Sequence, residues 1–141
     1  MVAKSGCSWQ VVGVTLAFLT TGSCGDSVSG PGYVPEQLAG TVVGQITEVG
    51  ENLTGLGPPP GVIEILVEEL PEPTDGSCPA TFIAVPPTAD ISIWRRSEEV
   101  RSGTLVDLRI GTIVRVFLED GPCFGSCPGI CGARSVQAFQ N

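Results

Sequence analysis

A twelve-residue segment near the C terminus, Gly121–Gly132 (GPCFGSCPGICG), constrains the fold of this chain more than any other stretch. It contains three cysteines, two prolines and four glycines, and it lies between two runs of β-like alternation at 112–119 and 133–139. Glycine and proline are typical of turns, and closely spaced cysteines in a small domain are typical of a disulfide framework. The segment therefore predicts a cross-linked turn that closes a small all-β barrel.

The first residues have the pattern of an export signal. Lys4 precedes an apolar run at 9–21, and a charged region followed by a short apolar region is typical of a signal peptide. A membrane-spanning helix needs about 20 apolar residues, and this run is shorter. We therefore expect residues 1–23 to be a signal peptide and the protein to be exported.

The apolar run ends at 19–24 (LTTGSC), where small residues directly precede Cys24. This arrangement resembles the lipobox of bacterial lipoproteins, in which the cysteine is lipidated and becomes the mature N terminus. The family prefers leucine three residues before the cysteine, and this chain has Thr21 there. The number of cysteines favours the same interpretation, because acylation of Cys24 leaves an even set of four later cysteines that can all form disulfides. We expect a lipid anchor at Cys24, and simple secretion is the alternative.

The rest of the chain divides into a tether and one domain. Residues 24–36 are rich in Gly, Ser and Pro and have almost no apolar periodicity, which is typical of a flexible linker. The remaining residues, 37–141, are enough for a single domain.

Charge and composition exclude several function classes. The net charge is −8, and the cations are Lys4 and six arginines, so we expect no nucleic-acid binding and expect the lipid to provide the membrane attachment. The chain has no histidine, the commonest general base and metal ligand, and no Gly-x-Ser-x-Gly or Ser-x-x-Lys motif. We therefore expect a protein without catalytic residues and without a cofactor.

Alternating apolar residues predict five strands. They cover 38–49, 62–70, 81–85, 112–119 and 133–139. The segment 89–94 either continues the third strand beyond a Pro-Pro break or forms a short extra strand. Ser97 as an N-cap, two following acids and Gly103 predict one or two helical turns at 97–103. We expect the first strand to bend or bulge at Gly40 or Gly44.

Five strands with one short helical turn between the third and fourth match the order of the OB fold. From about Leu38 the chain resembles a group of small exported bacterial OB-like domains of unknown function. The resemblance lies in Asp107–Gly111 (DLRIG), before the fourth strand, and in Cys127–Ala133 (CPGICGA), which leads into the fifth. It implies an all-β, five-stranded OB-like barrel and brings no known catalytic residues.

The OB fold also predicts which cysteines pair, because its third and fifth strands are parallel neighbours that begin at the same end of the barrel. Cys78 precedes the third strand and Cys131 precedes the fifth, so we expect a Cys78–Cys131 disulfide with Cys123–Cys127 closing locally. Cys78–Cys127 with Cys123–Cys131 is the second possible pairing. A four-cysteine zinc site is a further alternative, since Cys-x-x-x-Cys is within the usual ligand spacing, but exported cysteines are typically oxidised.

The predicted binding surface consists of Trp94, Arg95, Arg96 and Phe124. OB barrels bind ligands across the second and third strands and the flanking loops, and an exposed Trp beside arginines suits a sugar, a carboxylate or a partner protein. The plainer interpretation is that Trp94 covers the barrel end while the arginines neutralise nearby glutamates. The sequence thus predicts a lipid-anchored protein of the periplasmic or outer-membrane face that binds a small ligand or an envelope protein. A purely structural lipoprotein of an envelope complex is the alternative.

Overall fold

The computed structural model describes residues 33–121, 123–125 and 127–140. The predicted signal peptide, Cys24 and most of the predicted tether lie outside the described residues. The strands are β1 (Thr41–Gly50), β2 (Ile63–Glu69), β3 (Ala80–Val85), β4 (Asp90–Arg95), β5 (Glu98–Ser102), β6 (Ile113–Leu118) and β7 (Gly129–Phe139). Across the described ranges, no helix is both long enough and apolar enough to cross a membrane.

Five of the strands form a closed barrel. Their order is β3-β2-β1-β6-β7, and a parallel pairing between β3 and β7 closes the circle. This is the strand order of the OB fold, so the predicted five-stranded OB-like barrel and its parallel third and fifth strands are confirmed. The segment at 89–94 is a separate strand: β4 runs parallel to the second half of β7, and β5 pairs with β4 outside the barrel.

The barrel interior is filled by aliphatic side chains that alternate along each strand. β-branched residues suit this position because their stiff side chains pack well on a pleated sheet. Each fully buried Val or Ile contributes about 1.5–3 kcal/mol. The fully buried members of this core include Ile46, Ile65, Val67, Ile83, Val85, Ile93, Val114, Val116 and Val136.

The irregularity in β1 is not at a glycine as predicted. The register against β2 shifts between Ile46 and Glu48. Gly44 has a different role, because β1 pairs with both β2 and β6 at this residue. A Cβ atom on Gly44 would lie 2.1 Å from the carbonyl oxygen of Glu68. The lack of a side chain therefore allows the close approach of β1 and β2.

The predicted helix at 97–103 is wrong, because these residues form β5. Trp94 and Arg95 of β4 pair with Glu99 and Glu98, and the connecting loop is only Arg96-Ser97. A segment this short is marginal as a helix, whereas the outer edge of β4 offers it a hydrogen-bonding partner. The one helical turn of the described residues is instead a 3-10 turn at Leu105–Asp107.

The expected Cys78–Cys131 disulfide is also wrong. The structure has the second pairing, Cys78–Cys127 and Cys123–Cys131. The reason is that β7 begins at Gly129, so Cys131 lies within the strand opposite Ile83 and is largely buried. Cys127 is the residue that precedes β7, as Cys78 precedes β3. A disulfide does join the segments that enter the third and fifth barrel strands, but Cys127 and not Cys131 is the partner of Cys78.

The segment before β1 packs on the outside of the barrel. The ring of Tyr33 lies 5.8 Å from that of Phe139, and Pro35 is buried. Arg115 Nη1 donates a hydrogen bond of 2.9 Å to the carbonyl oxygen of Glu36. Residues 33–36, which were assigned to the tether, therefore contact the domain.

Candidate functional site

The structure divides the predicted binding surface between two ends of the barrel. At the stapled end, the Cys78–Cys127 disulfide joins the β2–β3 loop to the β6–β7 loop, and Phe124 lies there. At the arginine end, β7 finishes at Phe139 beside the β4–β5 hairpin that carries Trp94, Arg95 and Arg96. The eleven residues of β7 extend about 35 Å between these ends. Phe124 and the other three residues therefore form two surfaces.

The stapled end presents Phe124 on a braced turn. Phe124 N donates to Ile130 O at 2.8 Å, and Ile130 N donates to Phe124 O at 2.6 Å. The Cys123–Cys131 disulfide closes the same turn. The Phe124 side chain nevertheless remains 70% exposed. The turn thus holds an aromatic ring in solvent while the Phe124 backbone is hydrogen-bonded to Ile130 through both its N–H and its C=O.

Carboxylates are frequent on the segments that meet at the stapled end. The pKa of Glu69 is raised, first by partial burial and then by the nearby charge of Asp75. Hydrogen bonds from Ser77 lower the pKa of Asp75. The acids at the C-terminal end of β2 and on the loops of the stapled end are Glu68, Glu69, Glu72, Asp75, Glu119 and Asp120.

The arginine end is organised around the ring of Phe139, on the outer face of β7. Its centroid lies 6.2 Å from that of Trp94, and the Arg115 guanidinium lies 5.7 Å from it. The guanidinium of Arg96 lies 5.6 Å from the Tyr33 ring centroid. Arginine over an aromatic face is a favourable cation–π arrangement. Trp94 therefore covers the outside of β7 and does not close the barrel end.

Arg96 holds an unusual backbone conformation. Its φ of 57° makes it the one non-glycine residue with positive φ among the described residues. Arg96 is the first central residue of the two-residue loop between β4 and β5, a place that glycine often fills. In the described ranges neither Arg95 nor Arg96 forms an ion pair with a carboxylate. The interpretation that these arginines neutralise glutamates is therefore not supported.

A cleft lies beside this cluster. Arg101 Nη2 contacts Asp107 Oδ1 at 2.9 Å, and Asp107 Oδ2 accepts a hydrogen bond from Thr104 N at 2.8 Å. These bonds, led by that from Arg101, lower the pKa of Asp107. The cleft volume of about 210 Å³ is below the range of about 300–1,000 Å³ for small-molecule sites. Its lining comprises Arg101, Asp107, Arg109, Thr112, Ala138, Phe139 and Gln140.

The DLRIG motif is explained largely by folding. Asp107 caps the 3-10 turn, Leu108 is buried in the core, and Gly111 has φ +96° with its N–H donating to Ile46 O. Its other members face outward: Arg109 lines the cleft, and Ile110 is 68% exposed.

Sequence reasoning missed the exposed part of this loop. Val106 is 74% exposed and, with Ile110, flanks Arg109. The sequence did indicate this exposure, because Val106 and Ile110 lie outside the alternating apolar runs that predict strands. Two exposed aliphatic side chains beside an arginine form a second distinctive feature of the arginine end.

No family model, curated protein or solved structure matches this chain. The resemblances to lipoproteins and to exported OB-like domains therefore stay predictions.

Proposed function

We propose that this is an exported, lipid-anchored cell-envelope protein whose OB-like domain binds a protein partner non-covalently through its stapled end. The observation that carries the proposal is the 70% exposed ring of Phe124 on a turn closed by a disulfide. The site performs recognition, and the proposal assigns it no chemical step.

The cysteines support export. The structure pairs Cys78 with Cys127 and Cys123 with Cys131, and no described cysteine is free. Disulfides persist in the periplasm and outside the cell and are rare in the reducing cytosol. Paired cysteines therefore agree with the predicted signal peptide and with acylation of Cys24.

The braced turn suits binding for an energetic reason. Ordering a mobile loop costs free energy on association, and a turn that is already fixed avoids much of that cost. Aromatic side chains that fill a partner's pocket commonly dominate the binding energy. The neighbouring acids, Glu119 and Asp120 among them, complement a cationic rim. The partner that fits is a protein with an apolar pocket bordered by lysine or arginine.

Partner capture on intact cells tests the proposal. We would cross-link cells that express the full chain with Phe124→Ala and compare captured protein with the wild type. Loss of a central aromatic contact typically costs 2 kcal/mol or more, so we expect at least a tenfold loss of capture. Leu56→Ala is a matched control, because Leu56 is 72% exposed but lies in the β1–β2 loop. Unchanged capture with Phe124→Ala would contradict the proposal.

A further inference from the structure

The described chain begins at the arginine end. Tyr33 packs on Phe139 and lies under the guanidinium of Arg96. The segment from Tyr33 then runs along the outside of the barrel to Thr41, which lies opposite Phe117 on β6. The residues that precede Tyr33 are therefore joined to the barrel at the end that carries the β4–β5 hairpin.

The link to the proposed anchor is short. Nine residue steps separate Cys24 from Tyr33. In any conformation they extend at most about 32 Å. Strands tilt by about 35–45° to the axis of a closed barrel, so β7 covers about 27 Å of the height of this barrel. The stapled end could therefore reach the bilayer only with the link largely extended along the barrel side.

The side chains of the arginine end suit a membrane interface. Trp94 is half-buried, and Arg95 and Arg96 are exposed. Val106 and Ile110 are exposed on either side of Arg109. Tryptophan is enriched at membrane interfaces, and arginine can place its aliphatic part on apolar surface while its charge contacts phosphate.

The charge distribution favours the same orientation. Around the arginine end, acids such as Glu98, Glu99 and Asp107 are interspersed with arginines. The loops of the stapled end carry carboxylates that include Glu72, Asp75 and Asp120. A surface of anionic lipid repels the stapled end more strongly than the arginine end.

We propose that the arginine end lies on the membrane that holds the lipid anchor and contacts the phosphate groups of anionic lipids. The contact residues are Trp94, Arg95, Arg96, Val106, Arg109 and Ile110. This inference rests on the proposed lipid anchor. It implies that Phe124 points away from the bilayer, where the proposed partner can reach it.

Fluorescence quenching in vesicles tests the orientation. Trp9 lies in the predicted signal peptide, so Trp94 is the reporter in a mature chain that begins at Cys24. The protein would be purified from the membrane fraction and placed in phosphatidylcholine vesicles with or without phosphatidylglycerol, with a nitroxide quencher on some headgroups. We expect Trp94 to be quenched more strongly when phosphatidylglycerol is present.

A second reporter separates the two ends. Trp94→Phe with Phe124→Trp moves the tryptophan of the mature chain to the stapled end. We expect this reporter to be quenched severalfold less than Trp94 in the same vesicles. Equal or stronger quenching of the stapled-end reporter would overturn the inference.

Matched charge changes test the lipid contact. Arg96→Gln removes a guanidinium at the arginine end, whereas Arg134→Gln removes an exposed one from the middle of β7. One arginine beside an anionic membrane strengthens attraction by about fivefold at low salt. We expect Arg96→Gln to reduce the extra quenching caused by phosphatidylglycerol and Arg134→Gln to leave it unchanged. Equal effects would contradict contact at Arg96.

The intact mass of the same sample distinguishes failure of the proposed lipid anchor from failure of the proposed orientation. A mature chain without acyl groups at Cys24 would overturn the proposed anchor, and the orientation with it. An acylated chain whose Trp94 is quenched equally with and without phosphatidylglycerol would overturn only the inference drawn here.

Discussion

Cys78 and Cys127 are joined by a disulfide that connects the residues just before the two parallel strands β3 and β7. Their sequence separation is 49, whereas that of Cys123 and Cys131 is 8. The first disulfide ties together two distant loops, and the second closes one turn. The two bonds should therefore make different contributions to stability.

Removing the long-range disulfide should destabilise the domain more than removing the local one. The loop-entropy relation gives about 4 kcal/mol for Cys78→Ser with Cys127→Ser and about 2.5 kcal/mol for Cys123→Ser with Cys131→Ser. Urea unfolding of the two double variants measures both values. A larger loss from the local pair would contradict this assignment of roles.

The backbone of Arg96 should be strained. Glycine adopts a φ of 57° without the steric cost that a Cβ atom brings, about 1–2 kcal/mol. Arg96→Gly and Arg96→Ala both lose the contact with Tyr33, so their difference isolates the backbone contribution. We expect the glycine variant to be more stable by about 1 kcal/mol in chemical unfolding. Equal stability of the two variants would show that the turn relaxes around alanine.

Gly44→Ala should be strongly destabilising. The new Cβ atom would lie 2.1 Å from Glu68 O, which belongs to the backbone and cannot move aside without displacing β2. Overpacking of this kind costs up to about 3 kcal/mol. Gly129→Ala is the control, because its Cβ would meet Phe124 O at an ordinary 3.5 Å. Thermal unfolding of both variants measures the difference, and an equal, small effect would contradict the close approach of β1 and β2.

The ion pair of Asp107 should make stability depend on acid pH. Hydrogen bonds from Arg101 and Thr104 lower the pKa of Asp107 in the folded state. A lowered pKa stabilises the fold above the unfolded value of about 3.9, and this contribution disappears as the pH falls through the folded value. The wild type should therefore unfold at higher temperature than Asp107→Asn at pH 7 and progressively lose this advantage as the pH falls below about 3.9. An advantage that persists unchanged in acid would contradict the ion pair as its cause.

The barrel was predictable because strand alternation is a local property. The inward positions of β2, such as Ile65 and Val67, follow directly from the two-residue repeat of a strand. The order of the five strands was predictable because five strands with one further segment between the third and the fourth match the OB fold.

The rest depended on tertiary structure. Glu98 and Glu99 form a strand because β4 has a free edge beside them, and the sequence of 97–103 contains no sign of that edge. The disulfide pairing depended on where β7 begins, and this strand begins at Gly129, four residues before the predicted start at Ala133. Phe124 and Trp94 were grouped together because both were expected to be exposed aromatics, but Trp94 is half-buried and the length of β7 separates the two.

The most direct test of the central claim is the intact mass, with a non-reducing peptide map, of the full-length gene product recovered from the membrane fraction. We predict a mature chain that begins with an acylated Cys24 and contains the Cys78–Cys127 and Cys123–Cys131 disulfides. An unacylated chain with the four later cysteines reduced would contradict an exported, lipid-anchored protein with a cross-linked barrel.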